Sequence, residues 1–255
     1  MSQPLPDAAR WTVGSFVRTG SFTALYQLGT GVLGALMAPY LFRLPRPALW
    51  RWTQRWARGV LWLLRVLCGI RYQIVGQEHI PTGPVIYALK HQSSWESIIA
   101  PLLFPEGAAI IRQELLAMPV YGWYLRRLGL IPIDQSAEVA ALFQIVAESH
   151  AAVREGRSIL IFPEGERVPV GKRLPYHPGV GALYKRLELP VVPVALNAGV
   201  FWPLGMVPKR PGCITLEFLP AIAPGLARKE FLRTLEEQIE TATARLVESA
   251  RRDAS

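Results

Sequence analysis

The chain has 255 residues, 51% of them hydrophobic and only 18% charged, with a formal net charge of +9. That length allows one or two domains, and the apolar, charge-poor composition points to contact with lipid rather than to an ordinary water-soluble domain. The basic surplus would suit anionic head groups or a phosphorylated substrate. There is no nucleic-acid-binding motif and no Lys-rich tail, so nucleic acid is not an expected partner. Two cysteines, Cys68 and Cys213, make no disulfide framework, and the four histidines lack metal-ligand spacing, so no metal is expected.

Residues 8–77 carry charge of one sign. No acid lies between Asp7 and Glu78, while nine arginines do, interleaved with Trp11, Trp50, Trp52, Trp56 and Trp62. Arginine and tryptophan in an apolar background are what a bilayer interface selects. Residues 22–42 carry no charge, and 21 helical residues at ~1.5 Å each would reach the ~30 Å of a hydrocarbon core. A spanning helix and a re-entrant hairpin both fit, since Gly29, Gly31, Gly34 and Pro39 interrupt the run. A cleaved signal peptide ranks last, for want of a small-x-small cleavage site. Arg43 and Arg46 would place the following chain on the cytoplasmic side. Residues 48–70 predict an amphipathic helix with Arg51, Arg55, Arg58 and Arg65 on one face. It would lie in the lipid interface or pack as a surface helix on the domain.

From about residue 72 the pattern becomes alternating strands and helices. Strands are predicted at Tyr72–Val75, Val85–Leu89, Ala109–Ile111, Ile131–Ile133, Ser158–Phe162, Val191–Leu196 and Ile214–Phe218. Helices are predicted at 94–103, 114–128, 137–155, 179–188 and 229–251. Such alternation predicts an α/β domain with a mixed, mostly parallel sheet flanked by helices. The expected division is therefore a membrane-anchoring part, residues 1–71, and an α/β domain, residues 72–255.

Three stretches could carry chemistry. Lys90-His91-Gln92-Ser93-Ser94-Trp95-Glu96 follows an apolar strand and precedes a helix, where α/β domains place ligands. His91 can take a proton at neutral pH, and Glu96 could fix its ring. Ser93 and Glu96 also fit a capping box, and His91 a solvated loop. Phe162-Pro163-Glu164-Gly165-Glu166-Arg167 follows another apolar strand. Gly165 there allows positive φ, and the turn would project Glu164 and Arg167 toward the rim of His91 or simply into solvent. Arg112-Gln113-Glu114-Leu115, with Pro119, Gly122, Gly129 and Ile133-Asp134 downstream, offers cations suited to phosphate.

In order and spacing these blocks, followed by Val192-Pro193-Val194-Ala195-Leu196-Asn197, resemble the bacterial 1-acyl-sn-glycerol-3-phosphate acyltransferase (lysophosphatidic acid acyltransferase) family over residues 72–220. Pro175-Tyr176-His177-Pro178-Gly179-Val180 is similar to that family too. The resemblance implies a glycerolipid acyltransferase-type α/β domain with an N-terminal helical membrane anchor. It implies His91 and Glu96 as the catalytic pair, and Arg112, Glu164, Gly165 and Arg167 as substrate-binding residues. It also implies transfer of a fatty acyl group from acyl-CoA or acyl-carrier protein to the sn-2 hydroxyl of lysophosphatidic acid, giving phosphatidic acid. The thioester is a co-substrate and no cofactor is expected. The setting would be the bacterial inner membrane, with the catalytic domain on the cytoplasmic face.

The chain departs from the pattern at three places. Glu96 stands where an Asp is usual, Gln135 where an Arg is usual, and Glu166 where a Thr is usual. The last two reduce local positive charge and favour an alternative acceptor without a phosphate monoester, such as lyso-ornithine lipid. A non-catalytic lipid-binding protein and a serine lipid hydrolase using Ser94 are further alternatives.

Overall fold

The computed structural model describes residues 12–40, 43–134, 138–205 and 207–252. Gln135 and the end of the apolar run, residues 41–42, lie outside them. Two long helices come first, α1 (Val13–Met37) and α2 (Arg46–Cys68). The Trp56 indole donates to Thr30 Oγ1 at 3.0 Å, and the Cys68 thiol reaches the Arg18 carbonyl. The two helices therefore form an antiparallel hairpin. Phe22 is the one fully buried residue of α1, and it meets Trp202 edge-on at 5.3 Å. Lys209 lies over both rings, at 5.0 Å from Phe22 and 4.5 Å from Trp202.

No helix among the described residues is long and apolar enough to cross a membrane. The spanning reading of residues 22–42 is corrected accordingly: the helix starts at Val13 and carries Arg18 and several glycines, threonines and serines. The outer face of α1 nonetheless exposes Phe16, Val17, Leu25, Leu28, Val32 and Leu36. Along α2, Leu49, Thr53, Ala57, Val60, Leu61, Leu64 and Cys68 recur at helical spacing and are buried, while the four arginines face out. Its tryptophans divide: Trp50 is buried and Trp56 half-buried, and Trp52 and Trp62 are exposed.

All seven predicted strands form, in one sheet. They are β1 (Ile70–Val75), β2 (Ile86–Leu89), β3 (Ala108–Arg112), β4 (Ile131–Ile133), β5 (Ile159–Ile161), β6 (Val191–Leu196) and β7 (Gly212–Phe218). The spatial order is β1-β7-β6-β2-β5-β3-β4. Every neighbouring pair is parallel except β6 with β7, which is antiparallel. The remaining helices are α3 (Trp95–Leu103), α4 (Tyr121–Leu128), α5 (Glu138–Arg154), α6 (Pro178–Leu187), the short α7 (Ala198–Phe201) and α8 (Arg228–Arg252). The helix predicted over 114–128 is divided in two. A 3-10 turn covers Gln113–Ala117, and α4 begins only after Pro119, because proline disfavours helix in the residue before it and lacks an N–H of its own. Gly122 is needed at this join, since a Cβ there would sit 2.2 Å from the Leu116 carbonyl oxygen.

The sheet is covered on both sides. Tyr87, Leu89, Val192, Val194 and Leu196 point to one core with α2 and α3. Ile86, Ala88, Ile159, Ile161 and Val191 point to the other with α5, α6 and α8. All four residues of β2 are buried, as expected for a central parallel strand.

Candidate active site

The three chemistry-bearing blocks converge because of strand order. The loop after β2 holds His91, the turn after β5 holds Glu164 and Arg167, and β3 ends on Arg112. These three strands are neighbours and parallel. Their carboxyl ends therefore share one edge of the sheet, where such folds place ligands.

The His91 ring stacks on Phe162, with centroids 4.0 Å apart and planes 21° from parallel. Its Nδ1 is buried and faces Glu96 Oε2 at 3.6 Å. That is an electrostatic contact, longer than a hydrogen bond. The Glu96 side chain has no exposed surface. It accepts the Gln92 and Ser93 backbone N–H groups at 3.0–3.1 Å and the Ser93 hydroxyl at 3.2 Å. The capping reading and the ring-supporting reading of Glu96 thus describe one arrangement: loop N–H groups hold the carboxylate where it faces the imidazole. The Ser93 hydroxyl also accepts the Trp95 N–H, and Ser94 Oγ accepts from Arg167 Nη1 at 2.7 Å. Both serines are engaged with groups other than the His91 ring, which argues against a serine hydrolase.

Arg167 reaches across from the β5 turn into the loop of His91. Gly165 has φ 71°, and its N–H donates to the Phe162 carbonyl at 3.0 Å, closing that turn as its sequence suggests. Arg112 comes to the same rim, 4.0 Å from Glu166 Oε2, with both side chains more than half exposed. A cleft of about 400 Å³ opens beside this pair, floored by Tyr176 and walled by His177. A second, of about 350 Å³, is lined by Arg167, Lys172 and Arg173. Both flank the loop after β5, to the side of the His91 ring.

Glu164 does not take the open position expected of a substrate-binding residue. It is 1% exposed, and its two oxygens have protein partners: Lys90 Nζ at 2.5 Å, and the His91 backbone N–H at 3.2 Å. Burial pushes its carboxyl above the usual range, against the pull of Lys90. Lys90 also donates to Glu240 Oε1 on α8 at 2.6 Å, and the Tyr176 hydroxyl donates to the same oxygen at 3.1 Å. Burial, with Glu240 and Glu164 nearby, pushes the Tyr176 phenol well up. The sequence reading assigned no role to Lys90, Tyr176 or Glu240. One signal was available: Glu240 falls on the buried stripe of α8 with Leu235, Ile239, Thr243 and Leu246.

An acyltransferase family model matches residues 71–197, the stretch that holds all of these blocks. A 1-acyl-sn-glycerol-3-phosphate acyltransferase of Pseudomonas aeruginosa is 39% identical over 210 residues, covering 81% of this chain and 80% of the relative. The chain belongs to this acyltransferase family. The family member of Saccharomyces cerevisiae is 24% identical over 66% of the chain and 56% of its own length. In fold, the chain is similar to the crystal structure of the 1-acyl-sn-glycerophosphate (LPA) acyltransferase PlsC of Thermotoga maritima. The TM-score is 0.69 at 21% identity, over 91% of this chain and 94% of that one.

Proposed function

We propose that the chain transfers a fatty acyl group from an acyl thioester to the sn-2 hydroxyl of lysophosphatidic acid, with His91 as general base. The observation that carries this reading is the His91–Glu96 pair, with Arg167 held 2.7 Å from Ser94 Oγ in the same loop. With Nδ1 turned toward Glu96, Nε2 is the nitrogen left for substrate. It takes the proton of the acceptor hydroxyl as that oxygen attacks the thioester carbonyl. Glu96 stabilises the imidazolium formed. Collapse of the tetrahedral intermediate breaks the C–S bond. The leaving thiolate takes the proton back from His91, giving an ester and a free thiol. Arg112 and Arg167 are the cations for the acceptor phosphate. Acyl-CoA and acyl-carrier protein both satisfy this chemistry as donor.

The same reading places the protein on the cytoplasmic face of a bacterial inner membrane. The exposed apolar face of α1 would enter the lipid, and the outward arginines of α2, with Trp52 and Trp62, would meet anionic head groups. A second acceptor class, a lyso-lipid without a phosphate monoester such as lyso-ornithine lipid, is favoured by one contact: Glu166 sets a negative charge beside Arg112.

Incubating membranes containing the protein with mixed lyso-lipids and acyl-CoA, with thiol release followed and products identified by mass spectrometry, tests the reaction and the acceptor together. The expected product is phosphatidic acid. His91→Ala should lower turnover by about 10³-fold or more while membrane association persists. Turnover retained in that variant would remove the general-base role.

A further inference from the structure

We propose that Glu240, on the C-terminal helix α8, is a positioning residue for the acyl transfer, acting through Lys90 and Glu164 on His91. The proposal rests on the general-base reading above. Glu240 touches no open surface of the rim; it is 5% exposed. It holds Lys90 Nζ at 2.6 Å, Lys90 holds Glu164 Oε1 at 2.5 Å, and Glu164 Oε2 holds the His91 N–H at 3.2 Å. Lys90 and His91 are consecutive, so the carboxylate of Glu164 holds the side-chain tip of one residue and the backbone N–H of the next. The His91 carbonyl, in turn, accepts the Val168 N–H at 2.8 Å. The backbone of His91 is thereby fixed from α8, from the turn after β5 and from the strand that precedes it.

Charge argues for position over stability as the reason for this network. Burying an ion pair or triad in a protein interior stabilises no better than well-packed apolar side chains of the same size. Here two carboxylates share one lysine, with Arg173 approaching Glu240 Oε2 from the surface at 3.6 Å. What the triad achieves, and apolar packing would not, is a directional hold on Glu164. Without Glu240, Lys90 Nζ would keep one anchor in place of two, and the Lys90–Glu164 pair would be free to swing as a unit. The His91 ring would then shift relative to Glu96, and a displacement of about 1 Å costs on the order of 10²-fold in rate.

The experiment is steady-state kinetics of full-length protein in lipid vesicles. Glu240→Leu leaves a one-to-one Lys90–Glu164 pair and should lower kcat about 100-fold at unchanged KM for both substrates. Glu240→Gln keeps an acceptor oxygen for Lys90 and Tyr176 and should lose only about five- to tenfold. Arg157→Gln serves as the stability control. Its guanidinium is buried at the far end of β5, bonded to the Glu106, Leu128 and Gly129 carbonyls. It should weaken the fold with kcat unchanged. Wild-type kcat in Glu240→Leu, a loss no greater than in an equally destabilised Arg157→Gln, or a change in KM alone would overturn the positioning role. If Glu240→Leu does not accumulate, Glu240→Gln decides: wild-type kcat overturns the proposal. An active His91→Ala would instead overturn the base on which it rests, whatever Glu240 does.

Discussion

Glu164 and Glu166 leave the same turn two residues apart and meet opposite surroundings. Glu164 points beneath the rim, where Lys90, itself 1% exposed, is its partner at 2.5 Å. Glu166 points outward to Arg112 at 4.0 Å, with more than half of each side chain in solvent. In water the second pair is worth about 0–1 kcal/mol and is screened by salt. The first pair is shielded from both. The same residue type on one turn thus has two settings: the inner carboxylate holds the backbone that carries His91, and the outer one lies beside Arg112 in solvent.

The largest expected effect lies on the buried side. Lys90→Met leaves Glu164 and Glu240 facing each other with no buried cation, and should cost about 3–5 kcal/mol at pH 7. The cost should depend on pH in a defined direction. Burial already raises the Glu164 carboxyl, and removing Lys90 raises it further. The folded state then holds a proton that the unfolded chain has released, so stability is full below the ordinary glutamate range and is lost as pH rises through the raised value. Denaturant unfolding at pH 7.5 and pH 5.0 should show a smaller deficit at the lower pH. An equal deficit at both would mean that the two carboxylates are not the cause.

Arg167 stands between the two regimes, exposed yet anchored on Ser94. Arg167→Ala should raise KM for the lysophospholipid by about tenfold, with little change for the thioester. Equal effects on both substrates would move this arginine away from the head group. The smallest effect belongs to the outer carboxylate. Glu166→Thr should lower KM for a phosphate-bearing acceptor by no more than about threefold, an effect that fades with added salt. A larger change, or one indifferent to salt, would show that Glu166 does more than oppose Arg112.

Much of the molecule was legible in the chain because it depends on short-range pattern. Strand-forming runs of three to six residues marked all seven strands, and helical spacing gave α2, α5, α6 and α8 to within about two residues. His91, Glu96, Gly165 and Arg167 were visible because strand-to-turn junctions concentrate them. The helix expected over 114–128 runs through Pro119, and the structure breaks it there because a proline lacks the N–H that a continuous helix needs. Absence of charge from residue 22 to 42 suits a span or a re-entrant hairpin equally; the described helices contain no segment long and apolar enough to cross a membrane, and Phe22 docks α1 against Trp202.

By itself, the sequence determined the elements, the α/β class and the residue types at the strand ends, because each follows from local sterics and the periodicity of burial. Only the tertiary structure decided which strands are neighbours, and hence that the ends of β2, β5 and β3 meet at one rim. It alone decided that Glu240, 150 residues from Lys90, closes the network beneath His91. Strand pairing and buried charge pairing both join residues remote along the chain, and their energies depend on desolvation that exists only once the core has formed.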